Sequence, residues 1–295
     1  MINKDAVYGA IIGDMIGSVY EWSPTIKDHV NNFTLWFGNP LFHKDGIPNQ
    51  GSRFTDDTVC GLAIADALCY LPSDAGDEEY KQAFVKSLKD LCPQYLWCGY
   101  GGNFETWMLS KNTEPYGSYG NGSAMRVFPI GLLNLLESYD PYTSEPALTA
   151  HRHLARLSAE ITHNHEEGIK GAEATVSAMI LARCGCGKSE IRSYIESEFG
   201  YDLHCSLDDI RPNYHFDVSC QGSVPESILC FIKGRNFEEC IRLAVSLGGD
   251  ADTMGCITGA IASCYYQIPI PMLLQCKSRL DKKLLDIAKN FQKLM

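Results

Sequence analysis

The sequence predicts an all-helical fold, because apolar residues recur three and four positions apart through most of the chain. No run shows a convincing alternation of apolar and polar residues, so the parallel sheet of many nucleotide-binding enzymes is not expected. A first apolar helix leads into residues 13–21. The later predicted helices cover residues 58–71, 78–91, 124–136, 147–162, 168–182, 188–199, 227–232, 237–246, 253–266 and 277–294.

Local signals support the predicted helix ends, and long segments separate some of the helices. The helix over residues 58–71 stops before Pro72, which cannot continue a helix without losing a hydrogen bond. The helical pattern is missing from residues 23–54, 100–122 and 200–226. Loops longer than about 12–15 residues inside a compact domain are often functional, so these three segments are candidates for site residues.

Composition places the chain among ordinary globular proteins, with 45% hydrophobic and 21% charged residues. There are 25 Lys and Arg against 36 Asp and Glu, and the net charge of −11 argues against nucleic acid or an anionic membrane as a partner. No segment approaches the ~20 uninterrupted apolar residues of a membrane helix, so a cytoplasmic location is expected.

Cysteine usage and the lack of linkers describe the chain as a whole. Thirteen cysteines without a C-x-x-C pair indicate buried, reduced thiols in place of a disulfide framework. No low-complexity stretch or change of composition divides the chain, so residues 1–295 are expected to form a single domain. The sequence leaves the oligomeric state open, with a monomer as the default expectation.

Two short acidic clusters near opposite ends of the chain carry the strongest chemical signal. FTDDT contains Thr55, Asp56 and Asp57, and SLGGDADT contains Asp250, Asp252 and Thr253. One explanation is that each cluster caps the helix that follows it, since Asp and Thr are favoured N-cap residues. Capping accounts for one carboxylate per helix and leaves the second unexplained. If the clusters meet, two divalent cations would neutralise four carboxylates, and such hard cations prefer oxygen ligands.

Three further segments supply polar groups for a ligand. Glu21 ends the segment GDMIGSVYE, where it is either an exposed loop residue or a site carboxylate. The glycine-rich loop before the helix at residue 124 is either a plain turn or an anion nest made of backbone amides. His163 is expected to contact a ligand or to be a satisfied structural histidine, in preference to a metal ligand. His151 and His153 are expected at the surface.

Five segments together resemble the ADP-ribosylglycohydrolase family, in the family's order from Gly9 to about Tyr266. They are GDMIGSVYE, FTDDT, GSYGNGSAMR, THNHEEGIKGA and SLGGDADT. The resemblance implies an all-α, orthogonal multi-helix bundle with a binuclear metal site in a cleft. It implies two Mg²⁺ ions, with Mn²⁺ as an alternative. The implied metal ligands are Thr55, Asp56, Asp57, Asp250, Asp252 and Thr253.

The resemblance also implies roles for the remaining segments. Glu21 matches a catalytic glutamate on a mobile loop, so Glu21, Asp56 and Asp57 are the candidate catalytic residues. The loop that wraps the diphosphate and ribose matches Gly117, Ser118, Tyr119, Gly120, Asn121 and Gly122. His163 matches a cleft histidine, and Tyr100 with Gly101 is a weaker match to a glycine-rich flap. Residues 213–216 are a candidate aromatic wall for adenine.

The implied activity is hydrolysis of the glycosidic bond between ADP-ribose and an acceptor, which is an arginine or serine side chain or an acetyl group. The expected partner is therefore a protein or small molecule that carries ADP-ribose. The glutamate segment tilts the expectation slightly toward an O-linked acceptor. Two alternatives stay open, namely a non-catalytic ADP-ribose-binding or structural protein on the same scaffold and a metal-dependent phosphoesterase.

Overall fold

A computed structural model of the protein describes residues 3–21, 23, 26–30, 32–38, 51–72, 74–135 and 144–295. Within these ranges every regular element is a helix, which confirms the all-helical prediction. One isolated antiparallel bridge joins Gly120 to Ser219. Among the helices described, none combines the length and the apolar character that crossing a membrane requires.

Fifteen α-helices follow one another along the described chain. They are α1 (Val7–Gly17), α2 (Asp56–Tyr70), α3 (Asp77–Leu91), α4 (Gly102–Leu109), α5 (Gly122–Met125), α6 (Phe128–Leu132), α7 (Ser144–Glu160), α8 (Glu166–Arg183), α9 (Lys188–Phe199), α10 (Leu207–Ile210), α11 (Cys220–Lys233), α12 (Phe237–Ser246), α13 (Ala251–Tyr265), α14 (Ile270–Arg279) and α15 (Lys282–Phe291). Short 3-10 helices occupy Lys4–Ala6, Ile26–His29 and Cys92–Cys98.

The buried pair of α1 and α13 forms the centre of the fold. A Cβ added to Gly13 would lie 1.9 Å from the carbonyl oxygen of Gly255, and one added to Gly9 would lie 2.6 Å from that of Gly259. Only glycine allows two backbones to approach so closely. Because residue 9 faces 259 and residue 13 faces 255, the two helices run antiparallel. The C-terminal half of α1 therefore lies beside the first turn of α13, where the second acidic cluster begins.

Two predicted helices are each broken into a pair, which corrects the predictions for residues 124–136 and 277–294. The first is divided into α5 and α6, and Pro129 lies in the first turn of α6, where its missing N–H costs nothing. Leu136 lies outside the described residues. The second is divided into α14 and α15 by Leu280, which is extended, and Asp281, whose side chain accepts a hydrogen bond from Leu284 N to cap α15.

Two segments predicted to be non-helical contain α-helices. Residues 100–122 include α4, and residues 200–226 include α10 and the first half of α11. Helix α11 begins at Cys220, before the predicted start at residue 227, and the side chain of Ser219 caps it. The remaining segment, residues 23–54, contains the 3-10 helix Ile26–His29. Part of this segment, including residues 39–50, lies outside the described residues.

The two histidines of α7 divide between core and surface. The prediction for His151 is wrong, because the ring is buried between the carbonyl oxygens of Ala147, at 2.7 Å, and Leu133, at 3.0 Å. Burial also lowers the pKa of His151. The prediction for His153 is correct, since the side chain is exposed and contacts Asp77.

Candidate active site

A cavity of about 560 Å³ lies where the two acidic clusters meet. Its wall includes residues of both clusters, namely Thr55, Asp56, Asp57, Asp250, Asp252 and Thr253. Thr253 Oγ1 donates to Asp57 Oδ2 at 3.3 Å, a contact between residues 196 positions apart. Glu21 and His163 also line the cavity. The structure therefore brings together the segments that the sequence singled out.

The clusters do not serve as ordinary helix caps. Thr55 and Asp250 occupy the N-cap positions of α2 and α13, but neither side chain accepts a capping hydrogen bond. The hydroxyl of Thr55 instead lies 2.7 Å from Asp14 Oδ1. Gly248 and Gly249, with φ of 75° and 73°, turn the chain sharply into α13. The capping explanation therefore leaves both acidic clusters unexplained.

Asp14 on α1 is a site residue that sequence reasoning missed. Its fully buried carboxylate accepts from Thr55 N at 3.0 Å, Thr55 Oγ1 at 2.7 Å and Thr58 N at 3.2 Å, and also from Thr58 Oγ1. These bonds fix the first turn of α2 against α1. One oxygen each of Asp14, Asp57 and Asp252 lie within 4.8 Å of one another. A signal was present, since Asp14 is an acidic residue within an otherwise apolar helix.

A second group of carboxylates adjoins the first and shares Asp252 with it. One oxygen each of Glu21, Asp250 and Asp252 lie within 4.8 Å of one another. The amide of Asn121 donates to Asp250 Oδ2 at 2.7 Å, which fixes that carboxylate and ties the glycine-rich loop to α13. Glu21, Asp57, Asp250 and Asp252 of these two groups line the cavity, whereas Asp14 is fully buried and absent from its wall.

Burial and mutual repulsion raise the pKa of these carboxyls. The pKa of Asp14 rises to about 7, first because of burial and then because of Asp252. Burial, reinforced by neighbouring carboxylates, raises the pKa of Asp56, Asp57 and Asp250 well above the usual range of aspartate. The carboxylates can all be ionised together at neutral pH only if a counter-charge lies among them.

The donor set fits a divalent cation with hard-ligand preference. Carboxylate and threonine hydroxyl oxygens are the ligands that Mg²⁺ and Mn²⁺ accept. Asp57 Oδ1 is buried and finds no hydrogen-bond donor in the part of the chain that the structure describes. A buried acceptor without a partner is costly, and a cation would satisfy it. The residues present therefore suit the metal site that the resemblance implies.

Hydrogen bonds, most of them to neighbouring segments, hold the glycine-rich loop in place. Ser118, Gly120, Asn121 and Gly122 line the cavity, whereas Gly117 and Tyr119 are absent from its wall. The backbone N–H of residue 117 donates to Asn164 Oδ1 and that of 118 to Thr162 O, while those of 120 and 121 donate to Ser118 Oγ and Val218 O. Four backbone N–H groups of the loop therefore already have acceptors within the protein. These four are not available to an anion, unlike the open nest of amides that was one of the two expectations.

The predicted flap places one residue at the cavity and one behind it. Gly101 lines the cavity, whereas Tyr100 is buried and its hydroxyl donates to Cys92 O at 3.1 Å. Sequence reasoning missed several other wall residues, including Arg53, Trp97, Phe104, Tyr116 and Arg126. Phe216, from the proposed aromatic wall, also lines the cavity. For Phe104, Tyr116 and Phe216, the available sequence signal was their position in the long segments predicted to be non-helical.

Residues 4–295 match the family model described as ADP-ribosylglycohydrolase. The chain belongs to the ADP-ribosylglycohydrolase family. Members of this family depend on a metal, and the acidic groups at the cavity are its candidate ligands.

Relatives of the ADP-ribosylglycohydrolase family resemble the chain over most of its length. Human ADP-ribosylhydrolase ARH3 is 25% identical, over 98% of this chain and 93% of that protein. ADP-ribosylarginine hydrolase Tri1 of Pseudomonas putida is 23% identical, over 90% of this chain and 70% of that protein. A solved structure of an ADP-ribosylglycohydrolase-related protein complex is 24% identical, covers 99% of this chain and 96% of that chain, and superposes with a TM-score of 0.64. The shared fold confirms the expected multi-helix bundle.

Proposed function

We propose that this protein is a divalent-cation-dependent hydrolase that cleaves the glycosidic bond between ADP-ribose and an acceptor. The meeting of both acidic clusters and Glu21 at one cavity carries the proposal. Membership of the family supports it, as do relatives named for ADP-ribosyl hydrolysis. We take residues 1–295 as a single catalytic domain.

The cation ligands come from both ends of the chain in this proposal. Two ions, Mg²⁺ or Mn²⁺, would be held by Thr55, Asp56 and Asp57 on one side and by Asp250, Asp252 and Thr253 on the other. When bound, they would orient the ribose hydroxyls and make the attacking water more acidic. Asp14 and Asn121 keep the ligands in place, through the hydrogen bonds to Thr55 and to Asp250.

Glu21 is the proposed acid–base residue. Its carboxylate lies beside Asp250 and Asp252 at the cavity. Hydrolysis breaks the bond from the anomeric carbon to the acceptor atom, forms a bond to a water oxygen and delivers a proton to the leaving group. A carboxyl group within reach of the anomeric carbon can move that proton. We place the diphosphate against the face formed by Ser118, Gly120 and His163.

Product analysis tests this proposal and separates it from its alternatives. The purified protein is incubated with ADP-ribosylated serine and arginine peptides and with O-acetyl-ADP-ribose, with Mg²⁺ or with chelator. Free ADP-ribose formed only with Mg²⁺ is the expected result, and the best substrate identifies the acceptor. Release of AMP or phosphate would indicate a phosphoesterase, and binding without turnover would indicate a non-catalytic protein.

A matched pair of variants ties the activity to the acidic clusters. Asp250→Asn removes a charge at the cavity and should abolish turnover while the fold persists. Asp209→Asn removes a charge from an exposed position of α10 and should turn over like the wild type. Normal turnover by Asp250→Asn would rule out a cation-centred reaction.

A further inference from the structure

His163 is held in the cavity wall by contacts on both edges of its ring. The side chain is buried, with 4% of its surface exposed. Its Nδ1 lies 2.7 Å from Thr162 Oγ1. On the opposite edge, Nε2 faces the glycine-rich loop, where a Cβ added to Gly122 would lie 3.2 Å from it. Nε2 therefore faces a cavity-lining position that a larger residue would crowd.

Arg126 is a buried cation that lines the same cavity as this histidine. It is 1% exposed, and its Nη2 donates to Ser158 O at 2.5 Å and to Thr162 Oγ1 at 2.8 Å. Ser158 lies in the last turn of α7, where carbonyl oxygens lack helical partners and a positive charge is favourable. No carboxylate pairs with Arg126 among the described residues, and its Nε has no acceptor there.

Hydrogen-bond chemistry links Arg126 to the tautomer of His163. A guanidinium only donates, so Thr162 Oγ1 accepts from it and has a single hydrogen of its own to give. If Thr162 gives that hydrogen to Nδ1 of His163, which lies 2.7 Å away, Nδ1 is the acceptor and carries no proton. A lone pair on Nδ1 also faces the guanidinium more favourably than an N–H would. The proton of the neutral ring then lies on Nε2.

The charge state of His163 and the neighbouring phenol of Tyr116 both affect which ring nitrogen carries the proton. Burial, followed by the charge of Arg126, lowers the pKa of His163 well below its usual value, so the ring is neutral. Tyr116 is a competing acceptor for the Thr162 hydroxyl, since its phenol lies close enough to interact with it. If the hydroxyl donated to Tyr116, Nδ1 would be free to carry the proton. The two arrangements give opposite tautomers and are therefore separable by experiment.

We propose that Arg126 and Thr162 are positioning residues that hold His163 as the Nε2–H tautomer, so that the ring presents a neutral hydrogen-bond donor to an anionic oxygen of the ligand beside Gly122. The identity of that oxygen, on the diphosphate of ADP-ribose, rests on the proposed function. The tautomer itself is a property of the protein alone. A neutral donor binds an anion without needing a proton from solvent.

Nitrogen NMR of the imidazole tests the tautomer in the ligand-free protein. With ¹⁵N-labelled histidine, the His163 ring, assigned by its loss in His163→Gln, should show an unprotonated Nδ1 and a protonated Nε2. Tyr116→Phe removes the competing acceptor and should leave this pattern unchanged. A protonated Nδ1 in the wild type would overturn the proposal. This NMR measurement on the wild type does not depend on whether a Thr162 variant folds.

Calorimetry with ADP-ribose tests whether the donor is used. Thr162→Val removes the hydroxyl, and we expect the affinity to fall about tenfold and the preference for Nε2–H to be lost. Thr162→Ser should restore both. Thr175→Val is the matched control, because it removes another buried hydroxyl, bonded to Gly171 O, outside the cavity wall. It should bind ADP-ribose like the wild type.

The outcomes distinguish this inference from the proposed function. If the wild type binds no ADP-ribose, the proposed function fails, while the NMR result still decides the tautomer. If Nε2 is protonated but Thr162→Val binds ADP-ribose as tightly as Thr175→Val, the positioning role of Thr162 is overturned. Failure of Thr162→Ser to restore binding would likewise contradict the role of the hydroxyl.

Discussion

Without divalent cations, the folded protein should become less stable as the pH rises, because its acidic cavity holds carboxyl groups with raised pKa values. In the folded, metal-free protein the pKa of Asp14 is raised to about 7, from an ordinary value of 3.8. The folded state therefore binds this proton more tightly than the unfolded chain does. Where the folded state binds more protons, the free energy of unfolding falls with pH. The stability contributed by protonated Asp14 is complete at low pH and is lost as the pH rises through about 4 to 7.

The size of the effect follows from the shift at Asp14. A difference of roughly three pKa units corresponds to about 4 kcal/mol of unfolding free energy across the whole titration. Asp56, Asp57 and Asp250 shift in the same direction because burial raises each pKa. A bound cation supplies the missing counter-charge and removes this dependence, so Mg²⁺ should stabilise the protein more at high pH than at low pH.

Urea unfolding with chelator and with Mg²⁺, from about pH 5.5 to 7.5, measures this directly. The buried histidines His151 and His163 have lowered pKa values and shift stability the opposite way, but equally in both series. The difference between the series isolates the carboxyls. Asp14→Asn should reduce the slope of that difference with pH. If the stabilisation by Mg²⁺ stays constant over the range, the crowded carboxylates do not bind the cation.

Three further substitutions test the site and the scaffold. Glu21→Gln should lower kcat about 10²- to 10⁴-fold in steady-state kinetics while ADP-ribose binds normally, and an unchanged kcat would exclude acid–base catalysis by this residue. Asn121→Ala loses the 2.7 Å hydrogen bond to Asp250, and calorimetry should show Mg²⁺ binding weakened about 10- to 100-fold, whereas equal affinity would make that bond irrelevant. Gly13→Ala puts a Cβ 1.9 Å from the carbonyl oxygen of Gly255 and should lower the unfolding free energy by about 3 kcal/mol, so wild-type stability in urea would argue against the close approach.

Helices with strong end signals could be predicted to the residue. The predicted ranges 188–199 and 237–246 match α9 and α12, because Gly200 ends the first in a left-handed conformation and Asn236 caps the second. The break between α5 and α6, at residues 126–127, was missed because apolar periodicity continues across it. Periodicity reports which residues are buried and does not report where the backbone changes direction.

The site was predictable where its residues are clustered in sequence and not where tertiary contacts assemble it. Adjacent carboxylates marked both acidic clusters, but Asp14 is a single polar residue whose four hydrogen bonds depend on α1 packing against α2. The link from Arg126 to Thr162 joins residues 36 positions apart. Likewise, no local sequence pattern shows that the backbone N–H of Asn121 donates to Val218 O.

Anomalous diffraction from crystals grown with Mn²⁺ tests the central claim most directly, since it locates the cations and their ligands together. We expect anomalous density in the cavity within about 2.2 Å of carboxylate oxygens from both residues 55–57 and residues 250–253. Cavity density that contacts one cluster alone, or no cavity density at saturating Mn²⁺, would contradict the shared cation site.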